Sequence, residues 1–259
     1  MTDMVQFSFA LSPRMRSFIE LRDALACLES ARQSGRSIAW LHAACDLHDS
    51  MLGDQGRKNV VPEITSLLLD MQSYLKKLSD EVPKYRERID QACDRITAQI
   101  KILQSGLPDA TNYLARDALI NAYLNTQKKH DWLGHKLCMQ QSVKAIWENS
   151  EVRIQPLHTA LAPLGAAVST LDGMFNDFVR WQECIAVGGT GHITPERGSC
   201  CGLLVIGIPK EAVSNGIIPD ISGNKLAIRL RFQLWNPGQP AQDVSEDQSY
   251  TKMLIPVGA

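Results

Sequence analysis

Apolar and polar residues alternate in the run "KLAIRLRFQLW" at residues 225–235, which we call the cationic strand. Such alternation predicts a β-strand with one buried and one exposed face. The predicted buried face comprises Leu226, Ile228, Leu230, Phe232 and Leu234. The opposite face comprises Lys225, Arg229, Arg231 and Gln233. Because the run contains no acidic residue, the pattern predicts an exposed face with positive charge.

The earlier part of the chain instead shows apolar residues at three- and four-residue steps, the period of a helix with one buried side. A short strand over residues 5–9 precedes Ser12, which can cap a helix that has Pro13 in its first turn. The sequence predicts one helix that starts at Pro62 and another that starts at Pro83, and the two are expected to pair as an antiparallel helical hairpin. The periodicity predicts further helical segments over residues 40–51, 112–127 and 155–178.

The pattern changes after Trp181, where glycine and proline become frequent and short β-type runs follow. These runs are "CIAV", "GLLVIGI", the cationic strand and "TKMLIPV". The central run "KLCMQQSVKAIW", residues 136–147, predicts one more strand. We therefore predict an α+β fold with an antiparallel β-domain assembled from both ends of the chain and this central segment. The predicted helical domain covers residues 12–134 and 152–180, and the discontinuous β-domain covers residues 1–11, 135–151 and 181–259.

An acidic segment follows the cationic strand. The run "NPGQPAQDVSEDQS", residues 236–249, combines turn-forming residues with acids and has no apolar side, so we predict an exposed loop. Its acids are Asp243, Glu246 and Asp247. A loop that folded back would compete with an acidic ligand for Arg229 and Arg231. The sequence is compatible with both an open and a covered cationic strand.

Composition narrows the classes of function. The chain has 27 basic and 28 acidic residues, a balance that disfavours a nucleic-acid binder that acts by neutralising phosphates. We find no basic leader before an apolar run and no apolar stretch of membrane length, so we expect no signal peptide and no membrane insertion. The seven cysteines include no CxxC pair, which favours reduced thiols in the cytoplasm.

The glycine-rich run "VGGTGHITPERG" superficially resembles a phosphate-binding loop. No Lys-Ser or Lys-Thr pair follows Gly188, Gly189 and Gly191, and no helical pattern starts there, so a hairpin loop is favoured. The loop also supports an alternative function, that of a ligand-binding site. An α+β ligand-binding domain or an enzyme would use the loop 188–191 together with His192 and Arg197.

The sequence contains two other groups of reactive side chains. One shares a side of a predicted helix and comprises His42, Cys45, Asp46 and Asp49. With no second ligand pair at zinc spacing, we expect an ordinary amphipathic helix and neither metal nor cofactor. The adjacent Cys200 and Cys201 are poorly placed for a mutual disulfide. Since no catalytic motif is found, we predict that the protein is not an enzyme.

The cationic strand itself has two interpretations. Outward Lys and Arg side chains discourage edge pairing between sheets or meet acids on a neighbouring strand. They also suit a docking surface for an acidic peptide or another carboxylate, because the planar guanidinium group of arginine can donate two hydrogen bonds to one carboxylate.

Three segments carry a resemblance to a known family. They are "LSPRMRSFIELRDAL" after the N-terminal strand, "LARDALI" late in the helical region, and "ISGNKLAIRLRF" near the C-terminus. Their order, the length of the chain, the helical middle and the stranded tail together resemble the ZapD family, bacterial cell-division proteins associated with the FtsZ ring. The resemblance covers nearly the whole chain.

The resemblance implies a non-enzymatic homodimer with a helical domain and a β-domain, located in the cytoplasm at the mid-cell division site. It implies that the protein binds the C-terminal tail of FtsZ, a short mixed-charge segment with acidic residues. It also implies that the dimer cross-links and bundles FtsZ filaments, and so stabilises the Z-ring during division septum assembly.

The resemblance also points to particular basic residues. Lys225 and Arg231 match basic positions of the family, and the alternation adds Arg229, whereas Ala227 stands where a further base is expected. In "LARDALI" the base next to the matching acid is Arg116, which precedes that acid rather than following it. The predicted protein-binding residues are therefore Lys225, Arg229, Arg231 and Arg116.

Overall fold

The computed structural model describes residues 3–52, 60–107, 116–118, 121–122, 125, 133–147, 151–195 and 201–258. Its helices are α1 Pro13–Gln33, α2 Ser37–Leu47, α3 Val60–Glu81, α4 Arg86–Gln104, α5 Leu133–Trp147, α6 Glu151–Phe178 and α7 Lys210–Ser214. Its strands are β1 Met4–Ala10, β2 Gln182–Ala186, β3 Thr190–Ile193, β4 Leu203–Pro209, β5 Ile217–Gly223, β6 Ile228–Leu234, β7 Gln242–Asp243 and β8 Gln248–Ile255. The predicted α+β fold is confirmed. The helices predicted over residues 112–127 fall mostly outside the described part.

The chain forms two compact units. One comprises Met1–Ile19, Leu69–Cys93 and Leu171–Ala259, and the other comprises Glu20–Leu68 and Asp94–Thr170. The first unit contains the strands together with portions of α1, α3, α4 and α6. The two units are defined by which residues pack together, and each contains helices. The predicted division instead separates a helical domain, residues 12–134 and 152–180, from a β-domain, and it stays a prediction. Among the described helices, none combines the length and the hydrophobicity that crossing a bilayer requires.

The start of α1 agrees with its predicted capping. The backbone N–H of Met15 donates to Ser12 Oγ at 3.2 Å, so the hydroxyl accepts one of the hydrogen bonds that the first helical turn cannot make internally. Pro13 occupies the first position of the helix, where its missing N–H costs nothing. Ser12 Oγ also donates to the carbonyl of Gly258. One buried serine thus connects the start of α1 to the end of the chain.

The strand predicted over residues 136–147 was wrong, because this segment lies in α5. Val143 and Trp147 are fully buried, and their four-residue spacing is one helical turn. Trp147 stacks on Trp40 of α2 with 6.3 Å between ring centroids. Leu, Met, Gln, Lys and Ala residues, which dominate the segment, favour helix. The partial alternation of its apolar residues was therefore misleading, and the β-domain receives no strand from residues 135–151.

Two antiparallel sheets form in the first unit. The first sheet has the strand order β1-β4-β8-β2, and the second has the order β3-β6-β5 with β7 paired to β6. Strand β4 pairs with β1 and β8 on its two sides, so the N-terminal strand joins the C-terminal region as predicted. Strands β3, β5 and β7 were not predicted. Strands β3 and β7 are too short for a clear pattern, and β5 contains Pro219, a residue that argues against a strand.

An apolar core joins the two sheets. Its buried members come from both sheets and are Ala186, Ile193, Leu204, Ile206, Ile208, Ile228, Leu230, Phe232 and Tyr250. The rings of Phe232 and Tyr250 lie 5.8 Å apart between centroids. Burial raises the pKa of Tyr250 to about 12, with a smaller contribution from Cys184. Burying each large apolar side chain contributes about 1.5–3 kcal/mol, so this core fixes which face of each strand points outward.

Candidate functional site

The cationic strand forms β6, the middle strand of the second sheet. Ile228, Leu230 and Phe232 are buried in the core between the sheets. Arg229 is exposed and Arg231 is half-buried on the opposite side. The predicted alternation is therefore confirmed from Ile228 to Phe232, whereas Leu234 is half-buried rather than buried. The side chains of both arginines lie on the outer face of the second sheet.

The first residues of the predicted strand form a turn instead. Asn224 Oδ1 accepts hydrogen bonds from the N–H groups of Leu226 at 2.8 Å and Ala227 at 3.3 Å. These residues connect β5 to β6. Gly223, the last residue of β5, has a positive φ of 140°. Leu226 is consequently 79% exposed, not buried as predicted. Lys225 lies at the exposed tip of this hairpin rather than on the strand, because the side chain of Asn224 satisfies the backbone locally.

The neighbours of the arginines come from three strands. Arg229 lies opposite His192 of β3 on one side and Ser222 of β5 on the other. Arg231 lies opposite Thr190 and Asp220 in the next row. Directly opposed residues project from the same face with Cβ atoms about 4.5–5.5 Å apart. We call the surface formed by Thr190, His192, Asp220, Ser222, Arg229 and Arg231 the outer sheet face.

Arg231 has one acid in contact with it and a second on the neighbouring strand. Its Nη1 lies 3.3 Å from Oδ2 of Asp243 and 3.4 Å from Oδ1. Gln233 Nε2 donates to the same carboxylate at 3.4 Å. Asp220 lies opposite on β5. Since Asp243 is about 60% exposed, water screens this ion pair and makes it weak.

The acidic loop therefore folds back onto the cationic strand and does not leave it fully open. Strand β7 pairs with the end of β6, and the backbone N–H of Val244 donates to the carbonyl of Phe232 at 3.0 Å. Asp247 Oδ1 accepts a hydrogen bond from the N–H of Gly188 at 2.8 Å. These contacts hold the loop beside β6 and place Asp243 against Arg231, while no described acid of the loop contacts Arg229.

Arg229 is the exposed cation of the outer sheet face. Within the described part of the chain it forms no ion pair, and neither of its cross-strand neighbours, His192 and Ser222, is acidic. An exposed guanidinium with polar neighbours can bind a carboxylate, to which it donates hydrogen bonds, without first breaking an internal ion pair. The outer sheet face thus suits a ligand with at least one acidic group.

The glycine-rich loop has a structural explanation. Gly188 and Gly189 adopt positive φ values of 57° and 69° in the tight turn between β2 and β3. A Cβ on Gly189 would lie 2.0 Å from the carbonyl oxygen of Val244. Both glycines suit this turn, and the close approach of the acidic loop also excludes a side chain at Gly189. The connection is a tight turn closed by a bridge between Val187 and Thr190, and it joins strands of different sheets, so the predicted hairpin between paired strands is not formed. Arg197, the other residue of the alternative ligand site, lies outside the described residues.

The remaining candidates occupy other places. Arg116 is exposed and belongs to the second unit. His42 is half-buried and Cys45 is buried on α2, and the side chain of Asp49 lies outside the described set. Burial raises the pKa of the Cys201 thiol, and Cys200 lies outside the described residues. Nowhere in the described part do three or more His, Cys, Asp or Glu side chains form a group able to hold a metal ion.

A groove beside β2 and β8 offers a contrasting surface. Its lining includes Glu183, Ile185, Ser249 and Thr251, and none of the described lining residues is Lys or Arg. An acidic ligand would gain no charge-assisted contact there. The outer sheet face is the better site for such a ligand.

The sequence did not reveal two members of the outer sheet face. The sequence places His192 only in the alternative ligand site and gives no signal for Asp220. Both positions depend on the register of β3 and β5 against β6, which no local pattern specifies. The alternation of Thr190 and His192 with buried Gly191 and Ile193 was the available signal.

Comparison with known proteins adds no family assignment to this geometry: no protein-family model matches the chain, and no curated protein matches it significantly. The functional interpretation therefore depends on the described side chains and on the resemblance of the three sequence segments.

Proposed function

We propose that this protein is a cell-division factor that binds the C-terminal tail of FtsZ through the outer sheet face. The observation that carries the proposal is the exposed Arg229, which lacks an acidic partner in the described part of the chain. Arg231 adds a second cation two residues along the same strand. Acidic residues of the tail would bind these arginines by charge-assisted hydrogen bonds.

In the proposed mechanism, the protein acts as a homodimer that cross-links filaments. A tail held by a few exposed ion pairs would bind with a dissociation constant of the order of micromolar. A filament displays many tails, and a dimer presents two docking faces. Simultaneous engagement of two filaments raises the apparent affinity by avidity, so bundling results although each single contact is weak.

The test of the proposal is bundling of FtsZ filaments as a function of salt. We expect the protein to increase low-speed pelleting of filaments at low salt and to lose most of this effect by about 0.5 M salt, since the Debye length falls from about 8 Å at physiological ionic strength to about 3 Å at 1 M. Filaments without the protein at each salt concentration are the control. Pelleting that stays unchanged up to 1 M salt would contradict a docking contact made by exposed charges.

The ion pair between Asp243 and Arg231 leads to a second prediction. Asp243→Asn should tighten binding of the tail peptide about two- to five-fold, because it removes the internal carboxylate that competes for Arg231. Titration calorimetry with an acetylated peptide of the FtsZ C-terminal tail measures the change.

Glu246→Gln is the matched control for this substitution. It removes one negative charge from the same exposed loop, and no described contact joins Glu246 to Arg231. We expect a smaller gain in affinity than for Asp243→Asn. Equal gains in the two variants would show that net charge, and not release of Arg231, is responsible.

A further inference from the structure

The outer sheet face contains a histidine beside its exposed cation. His192 is exposed on β3 and lies directly opposite Arg229. Gly191 and Ile193, the neighbours of His192 along the strand, are buried, and the side chain of Ile193 belongs to the core, so the imidazole projects from the same side of the sheet as the guanidinium. A carboxylate that binds Arg229 therefore meets an imidazole on the adjacent strand.

The charges around this position are of both signs. Strand β6 contributes Arg229 opposite His192 and Arg231 two residues further along, and β5 contributes Asp220 in the row of Arg231. Strand β7 contributes Asp243, whose described contacts are with Arg231 and Gln233. On β3 itself, Thr190 is uncharged. Arg229 is therefore the charged residue directly opposite His192, whereas the described contacts of Asp243 are made with the side chains of β6 at Arg231 and Gln233.

We infer that His192 is a further carboxylate-binding residue of the outer sheet face and makes docking of the acidic tail dependent on protonation. This inference rests on the proposed function. A carboxylate placed between Arg229 and His192 favours the protonated imidazole, which is a cation and donates hydrogen bonds from both nitrogens. The ligand and the proton thus bind cooperatively, and each strengthens the binding of the other.

The sign of the pH effect follows from this coupling. Histidine side chains ordinarily change charge between about pH 5 and pH 8, whereas peptide carboxylates remain ionised over that range. The tail should bind more tightly as the pH falls through this window, because protonation adds a cation to the site. Above it, binding should depend on the arginines alone.

The experiment measures the affinity of the acetylated FtsZ tail peptide at about pH 6 and about pH 8, at constant low ionic strength. We expect the wild-type protein to bind about five-fold more tightly at the lower pH. His192→Gln should bind at both pH values with the weaker affinity, because glutamine does not ionise. His192→Lys should bind tightly at both, since its charge persists, and this result would exclude a merely structural role for His192.

His158→Gln is the matched control. His158 is a partly exposed histidine on α6, 3.9 Å from Glu29, and it belongs to the other unit. This variant should keep the pH dependence of the wild type. Equal pH dependence in wild type and His192→Gln would overturn the inference and leave tail docking intact. Absence of peptide binding by the wild type at both pH values would overturn the proposed function itself.

Discussion

Replacing Leu230 with alanine should lower the free energy of unfolding by about 3 kcal/mol, within the range of about 2–5 kcal/mol typical of large-to-small changes in a core. Leu230 is fully buried on the middle strand of the second sheet, where it belongs to the core shared by both sheets. The substitution removes apolar contacts and leaves a cavity that a strand paired on both sides cannot easily close. Urea denaturation followed by circular dichroism measures the loss.

Leu226→Ala provides a matched control with the same chemical change. Leu226 is 79% exposed at the hairpin tip, so its truncation should change the free energy of unfolding by less than about 0.5 kcal/mol. Similar losses in the two variants would contradict the turn at residues 224–227 and the start of β6 at Ile228. The comparison therefore tests the burial pattern that points the arginines outward.

The local pattern was sufficient to predict β6, because a buried strand face imposes a two-residue period. It failed at Lys225 and Leu226, where one hydrogen-bonding side chain, Asn224, ends the strand early. It could not predict that His192 lies beside Arg229, since that contact joins residues on different strands and depends on long-range register. The arginines of the site were thus predictable, and their neighbours were not.

The error at residues 136–147 has a different cause. Apolar residues in this segment occur at both two- and four-residue spacings, so neither a strand nor a helix was excluded by pattern alone. The packing of Val143 and Trp147 on one side selects the helical period. Tertiary contacts such as the stack on Trp40 decided the structure, as they often do for short apolar runs.

The second large effect concerns binding. Arg229→Glu combined with Arg231→Glu should weaken binding of the FtsZ tail peptide by about 100-fold at low salt, equivalent to roughly 2.7 kcal/mol. The change replaces two attractive contacts with repulsion between like charges. Both side chains lie on the outer face of the sheet and not in the core, so the fold should persist. Circular dichroism and the unfolding midpoint check that it does.

A charge-matched control separates this site from general attraction between protein and peptide. Arg86→Glu plus Arg95→Glu makes the same change in net charge on α4, where both side chains are exposed. We expect this variant to bind the peptide within about three-fold of the wild type, because neither residue belongs to the outer sheet face and isolated exposed charges contribute little. A loss as large as that of the β6 variant would mean that net charge alone drives binding.

The most direct test of tail docking on the outer sheet face is calorimetric titration of the acetylated FtsZ tail peptide into the wild-type protein and into the Arg229→Glu, Arg231→Glu variant. The titrations are made at about 50 mM and about 300 mM salt, which differ in Debye length by more than two-fold. We predict salt-sensitive binding by the wild type and almost complete loss of binding in the folded variant. Equal affinity of the two folded proteins would contradict docking on this face.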